Sequence, residues 1–154
     1  MLNFTFQDYK KKICALQVVC AFRDEKYKTI DDLGVLFYFA SPLNDETFDW
    51  KNKSGLSLNI NEVLSLCYYL KNPNELYKLK NNSLIFYHPF NGKNKNLTVA
   101  ANKDTDPIFL SLSFKSEDVF KKMSYRAGTD AIVFANKIEL LIQSAILYNS
   151  LAKE

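Results

Sequence analysis

Glycine, histidine and paired cysteines are scarce in this chain, and each shortage excludes a class of site. Four glycines among 154 residues occur in neither the Walker nor the dinucleotide-binding spacing, which excludes those phosphate-binding loops. One histidine, His88, and three cysteines without metal-ligand spacing give no basis for a zinc site. We therefore expect no metal and no cofactor.

The three cysteines, Cys14, Cys20 and Cys67, lie among apolar residues and are odd in number, a pattern typical of buried thiols in a reducing compartment. No apolar run approaches the roughly 20 residues of a membrane helix, and the amino terminus lacks a signal-peptide layout. The expectation is a soluble intracellular protein without a membrane span. Its place would be the cytoplasm or nucleoid of a bacterium or phage, or a mitochondrion or other organelle of a eukaryote.

Residues for bond chemistry are equally sparse. His88 lies at the end of an aromatic strand segment, and its expected role is that of a hydrogen-bonded structural histidine. The loop acids are better explained as solvated turn residues than as a paired-carboxylate site; they are Asp31, Asp32, Asp45, Glu46, Asp104 and Asp106. We predict no catalytic residues and no enzymatic activity.

Aromatic residues, in contrast, are abundant: 12 Phe, 9 Tyr and one Trp. The length suits one domain that spans residues 1–154 and buries about two-thirds of its unfolded surface. Its core does not need this much ring surface, so some rings are free to face a ligand. The net charge of +3 is only a mild excess and does not by itself indicate a partner.

Hydrophobic periodicity predicts a mixed α and β chain. Asn59 followed by Glu62 predicts a capped helix that ends before Pro73. Residues 115–129 receive no assignment, and a helix is predicted to begin at Asn136 with Glu139 three residues later. The predicted strands cover residues 13–22, 34–40, 47–58 with an interruption at 51–55, 83–90, 95–101, 108–114 and 131–135.

The closing helix is apolar on two sides. One stripe contains Ile138, Leu141, Ile142 and Ala145, and a second contains Leu140, Leu147 and Leu151. A helix with so little polar surface must be covered on both sides. Either the chain associates with copies of itself through this helix, or the helix is sunk in a large core.

Binding of single-stranded nucleic acid requires cations for the phosphates and flat rings for the bases. Lysines accompany aromatic residues at three places: before the first strand, beside Trp50, and after the aromatic strand segment at residues 85–90. Only about half of the rings on a strand can face outward. Lysine-bearing turns and aromatic strands also occur in ordinary soluble sheets, so this pattern alone leaves both interpretations open.

Five short segments in order give a more specific indication. They are a lysine-rich entry to the first strand, an apolar strand leading to Asp49-Trp50, a Leu-Ser segment opening a Glu-Val helix, a Phe-Tyr-His-Pro strand end and a Leu-Ser-Leu strand, at residues 9–16, 35–50, 56–66, 86–89 and 109–113. In order and spacing the chain resembles the Whirly family of single-stranded DNA-binding proteins, which share a fold with trypanosomatid mitochondrial guide-RNA-binding proteins.

The resemblance implies an α+β fold of two antiparallel sheets packed crosswise, with a short helix and a C-terminal helix that assembles a homotetramer. It also implies that single-stranded DNA, or RNA, binds along the sheet edges with little sequence preference. Phosphates would contact Lys10, Lys11, Lys12, Lys51, Lys53, Lys93 and Lys95, and bases would stack on Phe37, Phe39, Trp50 and Tyr87.

The implied role is the protection of exposed strands in DNA repair, recombination or transcription. Two alternatives remain at this stage. One is an RNA-binding or annealing protein of the guide-RNA-binding type, and the other is a protein-interaction scaffold that binds no nucleic acid.

Overall fold

The computed structural model describes residues 2–7, 14–22, 30–44, 47–89, 92–102, 104 and 108–152, with the backbone alone at 2–7 and 149–152. Within these residues there are three helices and eight strands: β1 (Leu2–Gln7), β2 (Ala15–Phe22), β3 (Leu33–Ala40), β4 (Ser54–Asn59), α1 (Ile60–Lys71), α2 (Pro73–Leu76), β5 (Ser83–Tyr87), β6 (Lys95–Asn102), β7 (Phe109–Ser116), β8 (Val119–Arg126) and α3 (Asp130–Ala152). Short 3-10 turns connect some of them.

The strands form two four-stranded antiparallel sheets, each in sequential order, with β1 to β4 in the first and β5 to β8 in the second. Helices α1 and α2 connect the sheets, and α3 follows the second. The predicted α+β fold of two antiparallel sheets with a short helix and a C-terminal helix is confirmed.

Strand alternation places one face of each sheet in a common core. In the first sheet Val18 is opposite Phe37, and in the second Val99 is opposite Leu112; all four are fully buried. The Phe39 and Phe114 rings stack across the two sheets with centroids 5.9 Å apart. The sheets are therefore held face to face by the side chains of alternate residues.

Helix α1 begins where the sequence predicts. The Asn59 side chain accepts a hydrogen bond from the Glu62 backbone N–H at 2.9 Å, and Glu62 Oε1 accepts from the Asn59 backbone N–H at 3.1 Å. This capping box satisfies backbone donors that an uncapped helix would leave without partners. The helix ends before Pro73, as predicted.

Helix α3 packs beside α1 and against β8. Lys71 Nζ is 2.7 Å from Glu139 Oε2, and the Cys67 thiol donates to the Ala135 carbonyl at 3.8 Å. The Phe134 ring stacks on Tyr125 with centroids 4.6 Å apart. One face of α3 is therefore part of the core.

The predicted strand at 131–135, and the helix start at Asn136, are wrong because α3 begins at Asp130. The adjacent β-branched residues Ile132 and Val133 suggest a strand locally. The buried residues Ala131, Phe134, Ala135 and Ile138 instead follow the helical spacing i, i+3, i+4, i+7.

The length of α3 also exceeds the expectation from sequence. Residues Asp130–Tyr148 have a mean hydropathy of 1.4, so by length and composition this helix is able to cross a membrane. The prediction that no segment has that character is wrong here. The core helix of a folded domain meets the same criterion, and α3 has such a core face, with Ile138, Leu141 and Ile142 buried.

Two strands were not predicted from the sequence. Strand β1 precedes the first one assigned, and β8 lies in the segment 115–129 that has no assignment. On β8 only Met123 and Tyr125 are buried, so its alternating pattern is too short to be clear. The chain after Phe48 forms a 3-10 turn at Trp50–Asn52 rather than a strand.

The cysteines are buried thiols, as predicted. Burial raises the pKa of the Cys20 thiol to about 11. Burial and the nearby Glu139 carboxylate raise the pKa of Cys67 to about 12, although Lys71 acts in the opposite direction. Both thiols are therefore protonated at neutral pH and poor nucleophiles.

Candidate nucleic-acid interface

A groove of about 420 Å³ lies where the end of β3 and the start of β4 face the end of the second sheet. The first sheet and its entry turn contribute Tyr38, Lys53, Ser54 and Gly55. The second sheet contributes residues at the start of β6 and around the β7–β8 turn. They are Lys93, Lys95, Phe114, Ser116, Glu117, Asp118 and Val119.

Gly55 allows the backbones to approach at this point. It pairs with Tyr38 across β3 and β4, and a Cβ at residue 55 would be only 1.9 Å from the Phe37 carbonyl oxygen. No residue with a side chain fits there without moving β3. The wall of the groove therefore depends on a glycine that the sequence contains for a steric reason.

Three lysines supply positive charge to the groove. Lys53 Nζ lies 4.2 Å from the centroid of the Tyr38 ring, in a cation–π contact. Lys95 Nζ donates to the Gly55 carbonyl at 3.4 Å and so connects the two sheets. Lys93 is exposed. Two acidic residues of the β7–β8 turn, Glu117 and Asp118, also line the groove. The groove therefore has a net charge of one positive unit.

A hydrogen-bonded histidine positions the β6 side of the groove. The His88 backbone N–H donates to the Lys95 carbonyl at 2.8 Å, and its Nε2 is 2.7 Å from Glu62 Oε2. Glu62 is also part of the α1 capping box. The predicted structural role of His88 is therefore confirmed: it links the start of α1 to the strand that presents Lys95.

Among the predicted phosphate contacts, Lys53, Lys93 and Lys95 come together in the groove. Lys51 is exposed on the 3-10 turn just before Lys53, and the turn is capped by Asp49, whose carboxylate accepts from the Asn52 backbone N–H at 3.3 Å. Trp50 is half-buried on the same turn. Lys10, Lys11 and Lys12 lie outside the described residues.

Two of the predicted stacking rings are corrected by the structure. Phe37 is fully buried and Phe39 is 1% exposed, because both point from β3 into the core between the sheets. Neither ring can meet a base in the folded protomer. The residue between them, Tyr38, faces the opposite way and lines the groove. The two-residue period of β3, with Val35, Phe37 and Phe39 on one face, is the signal that identifies it.

Tyr87, the remaining predicted ring, is 68% exposed. It lies on the outward side of β5 and is not part of the groove lining. Sequence analysis missed the Ser116 to Val119 hairpin, because it falls in the segment without an assignment.

Solved structures with the same arrangement of sheets and helices cover nearly the whole chain. The crystal structure of WHY3 from Arabidopsis thaliana superposes with a TM-score of 0.63 at 19% identity, covering 99% of this chain and 93% of WHY3. The chain has a Whirly-like fold. WHY1 from the same plant gives 0.61 at 20% identity, with 99% and 91% coverage, and the plant transcriptional regulator PBF-2 gives 0.58 at 16%, with 99% and 86%.

Sequence comparison adds nothing to this Whirly-like likeness, since no protein-family model and no curated protein matches the chain. The relationship is visible in three dimensions at an identity of 16% to 20%. At that identity the shared property is the fold, and the groove residues of this chain provide the functional argument.

Proposed function

We propose that this protein binds single-stranded DNA in the groove between its two sheets, with little sequence preference and without bond chemistry. The observation on which the proposal rests is the convergence of Lys53, Lys93 and Lys95 around Tyr38 at the sheet junction. Lysine ammonium groups neutralise phosphates, and the Tyr38 ring offers a surface on which an unpaired base stacks.

A groove of this kind favours single strands over duplex. In a duplex the bases are paired and stacked on one another, so only phosphates reach the lysines and the ring remains unused. An unpaired base gains the stacking energy, about 1–3 kcal/mol per base. These contacts do not depend on base identity, because every base has a flat face.

Self-association is part of the proposal. Apolar side chains on the outer side of α3 and α1 are exposed, including Leu140 at 62% and Leu147 at 61%; the others are Val133 and Tyr148 on α3 and Leu64 and Tyr68 on α1. A homotetramer assembled through this surface would cover it and bring several grooves into one particle. The assembled protein would protect exposed strands in repair, recombination or transcription, within a reducing intracellular compartment.

Titration of labelled oligothymidine at several salt concentrations tests the groove. The informative variant combines Lys53→Ser and Lys93→Ser, and spares Lys95 because its ammonium group connects the sheets. We expect the variant to bind more weakly. The slope of log K against log salt concentration should become shallower by about 0.7 for each phosphate that the variant no longer neutralises.

The matched control combines Lys78→Ser and Lys80→Ser, which removes two exposed lysines outside the groove. Equal reductions in affinity for the variant and the control would mean that net charge, and not the groove, determines binding. Equal affinity for duplex and single strand would contradict the proposal. Competition with RNA of the same sequence separates the guide-RNA-type alternative, since contacts to the 2′-hydroxyl favour RNA.

A further inference from the structure

The outward side of the second sheet is a second surface with the chemistry of a nucleic-acid contact. We define this outer face as the outward residues of β5 to β8, which alternate with core residues such as Leu97, Leu112 and Met123. Three large rings on it are exposed: Tyr87 at 68%, Phe120 at 59% and Phe109 at 36%. Sheet surfaces with exposed rings bind unpaired bases by stacking.

The charge of the outer face has one sign. Its cations are Lys115, Lys122 and Arg126, all exposed on β7 and β8. No Asp or Glu occupies any of its positions on the four strands. The centre is formed by small polar residues, such as Thr98 opposite Ser113, which leave it flat. A polyanion with flat bases fits this surface better than an apolar or acidic partner does.

The outer face adjoins the groove. Groove residues Lys95, Ser116 and Val119 are each followed or preceded in sequence by an outer-face residue, Asn96, Lys115 and Phe120 respectively. Those three form one row across the sheet, which Tyr87 completes: Tyr87 pairs with Asn96, Asn96 with Lys115, and Lys115 with Phe120. A chain that leaves the groove around the end of the sheet therefore meets this row first.

We propose that a bound single strand continues from the groove onto the outer face, where Tyr87 and Phe120 stack bases and Lys115, Lys122 and Arg126 bind phosphates. This extension rests on the proposed function of the groove. It assigns a role to Tyr87, which the groove leaves unused, and to the segment after residue 115 that the sequence did not explain.

The dimensions of the outer face set the length of strand it holds. From Phe120 to Arg126 along β8 is about 20 Å at 3.3 Å per residue. At the 3.4 Å phosphate spacing of a stacked strand, that distance corresponds to about six phosphates. A short oligonucleotide fills the groove alone, whereas a longer one also reaches the outer face.

The test compares oligothymidines of about four and about 16 nucleotides, the two ends of the range of known single-strand site sizes. The outer-face variant combines Phe120→Ser and Lys122→Ser, two exposed residues on an edge strand. Its matched control combines Ile30→Ser and Lys78→Ser, which also removes one exposed apolar side chain and one lysine, but away from both surfaces. Unfolding by urea establishes that both variants are folded.

We expect the outer-face variant to lose affinity for the longer oligonucleotide by about fivefold or more, because one stacking ring is absent. Its affinity for the short one should equal that of the control. A Phe120→Trp variant gives a direct signal, since fluorescence from the new indole should fall when the longer strand binds. The single native tryptophan, Trp50, supplies the background in the parent.

Two results would overturn the proposal. If the outer-face variant and the control bind both lengths equally, while the Lys53→Ser and Lys93→Ser variant is weakened, the groove binds the strand and the outer face has no part in binding it. If the parent chain binds neither oligonucleotide, the proposed function and its extension fail together.

Discussion

Single residues at the groove have backbone constraints as well as chemical roles. Gly55 permits close approach of β3 and β4. Glu117 has a φ of 51° in the β7–β8 turn, a left-handed conformation that costs a residue such as glutamate roughly 1–2 kcal/mol. The same side chain places a negative charge beside the groove lysines. Glu117 is thus unfavourable for both the backbone and the binding of a polyanion.

Replacement of Glu117 separates these two effects. Glu117→Asn should stabilise the protein by up to about 1 kcal/mol, since asparagine tolerates the left-handed region, and it should also tighten oligonucleotide binding. Glu117→Gln removes the charge alone, so it should tighten binding without a gain in stability. Urea unfolding and oligonucleotide titration measure the two quantities. A Glu117→Asn variant that changes neither would show that the turn adjusts freely and lies outside the electrostatic reach of the strand.

At the scale of the elements, α1 is connected to the groove through one carboxylate. Glu62 completes the capping box at the start of α1 and also pairs with His88. The His88 backbone N–H in turn donates to the carbonyl of Lys95, the first residue of β6. Local helix capping and the geometry of the groove therefore share a side chain. This dual contact is a tertiary feature, because Glu62 and His88 are 26 residues apart.

The Glu62→Ala variant tests that connection. Loss of a capping interaction costs about 0.5–2 kcal/mol, and loss of the partner of a half-buried histidine adds to it. We expect a lower urea midpoint and weaker oligonucleotide binding. Asn61→Ala, an exposed change in the same helical turn, is the control and should alter neither. Unchanged binding by a destabilised Glu62→Ala variant would show that β6 keeps its position without His88.

At the scale of the whole molecule, the two helices present an apolar surface that a single protomer leaves exposed. A contiguous patch of exposed apolar side chains marks an interaction site in soluble proteins. Leu140 and Leu147 are one heptad apart on α3, which is the spacing of a helix that packs against another helix. The two-sided apolar helix predicted from sequence is thus present, with one side in the core and the other available to a second copy.

Leu140→Lys should dissociate the proposed tetramer, because a charge would then lie in each helix contact. Light scattering should give the mass of a protomer, while circular dichroism should be unchanged because Leu140 is exposed in the protomer. The control Gln143→Lys places a lysine on an exposed polar position of the same helix. A parent protein that is already monomeric would rule out the assembly.

Local patterns in the sequence predicted those features that depend on neighbouring residues. The capping box of α1, the six strands with clear periodicity and the burial of the cysteines follow from spacing and from the chemistry of a few adjacent side chains. Strand β8 and the start of α3 did not follow. Their local patterns are short or ambiguous, and contacts between elements, such as the packing of Tyr125 on Phe134, accompany the structure that forms there.

The sequence by itself determined a mixed α and β protein that is rich in lysines and rings and lacks the spacing of phosphate-binding loops and zinc sites. Its two-sheet arrangement was implied only by the Whirly resemblance. Only the tertiary structure decided which rings are available: Phe37 and Phe39 are buried, whereas Tyr38 and Tyr87 are accessible. It also brought Lys53 together with Lys93 and Lys95, which lie 40 or more residues later in the sequence. The physical reason is that the orientation of a side chain on a strand, and the meeting of two sheets, depend on contacts between residues far apart in the chain.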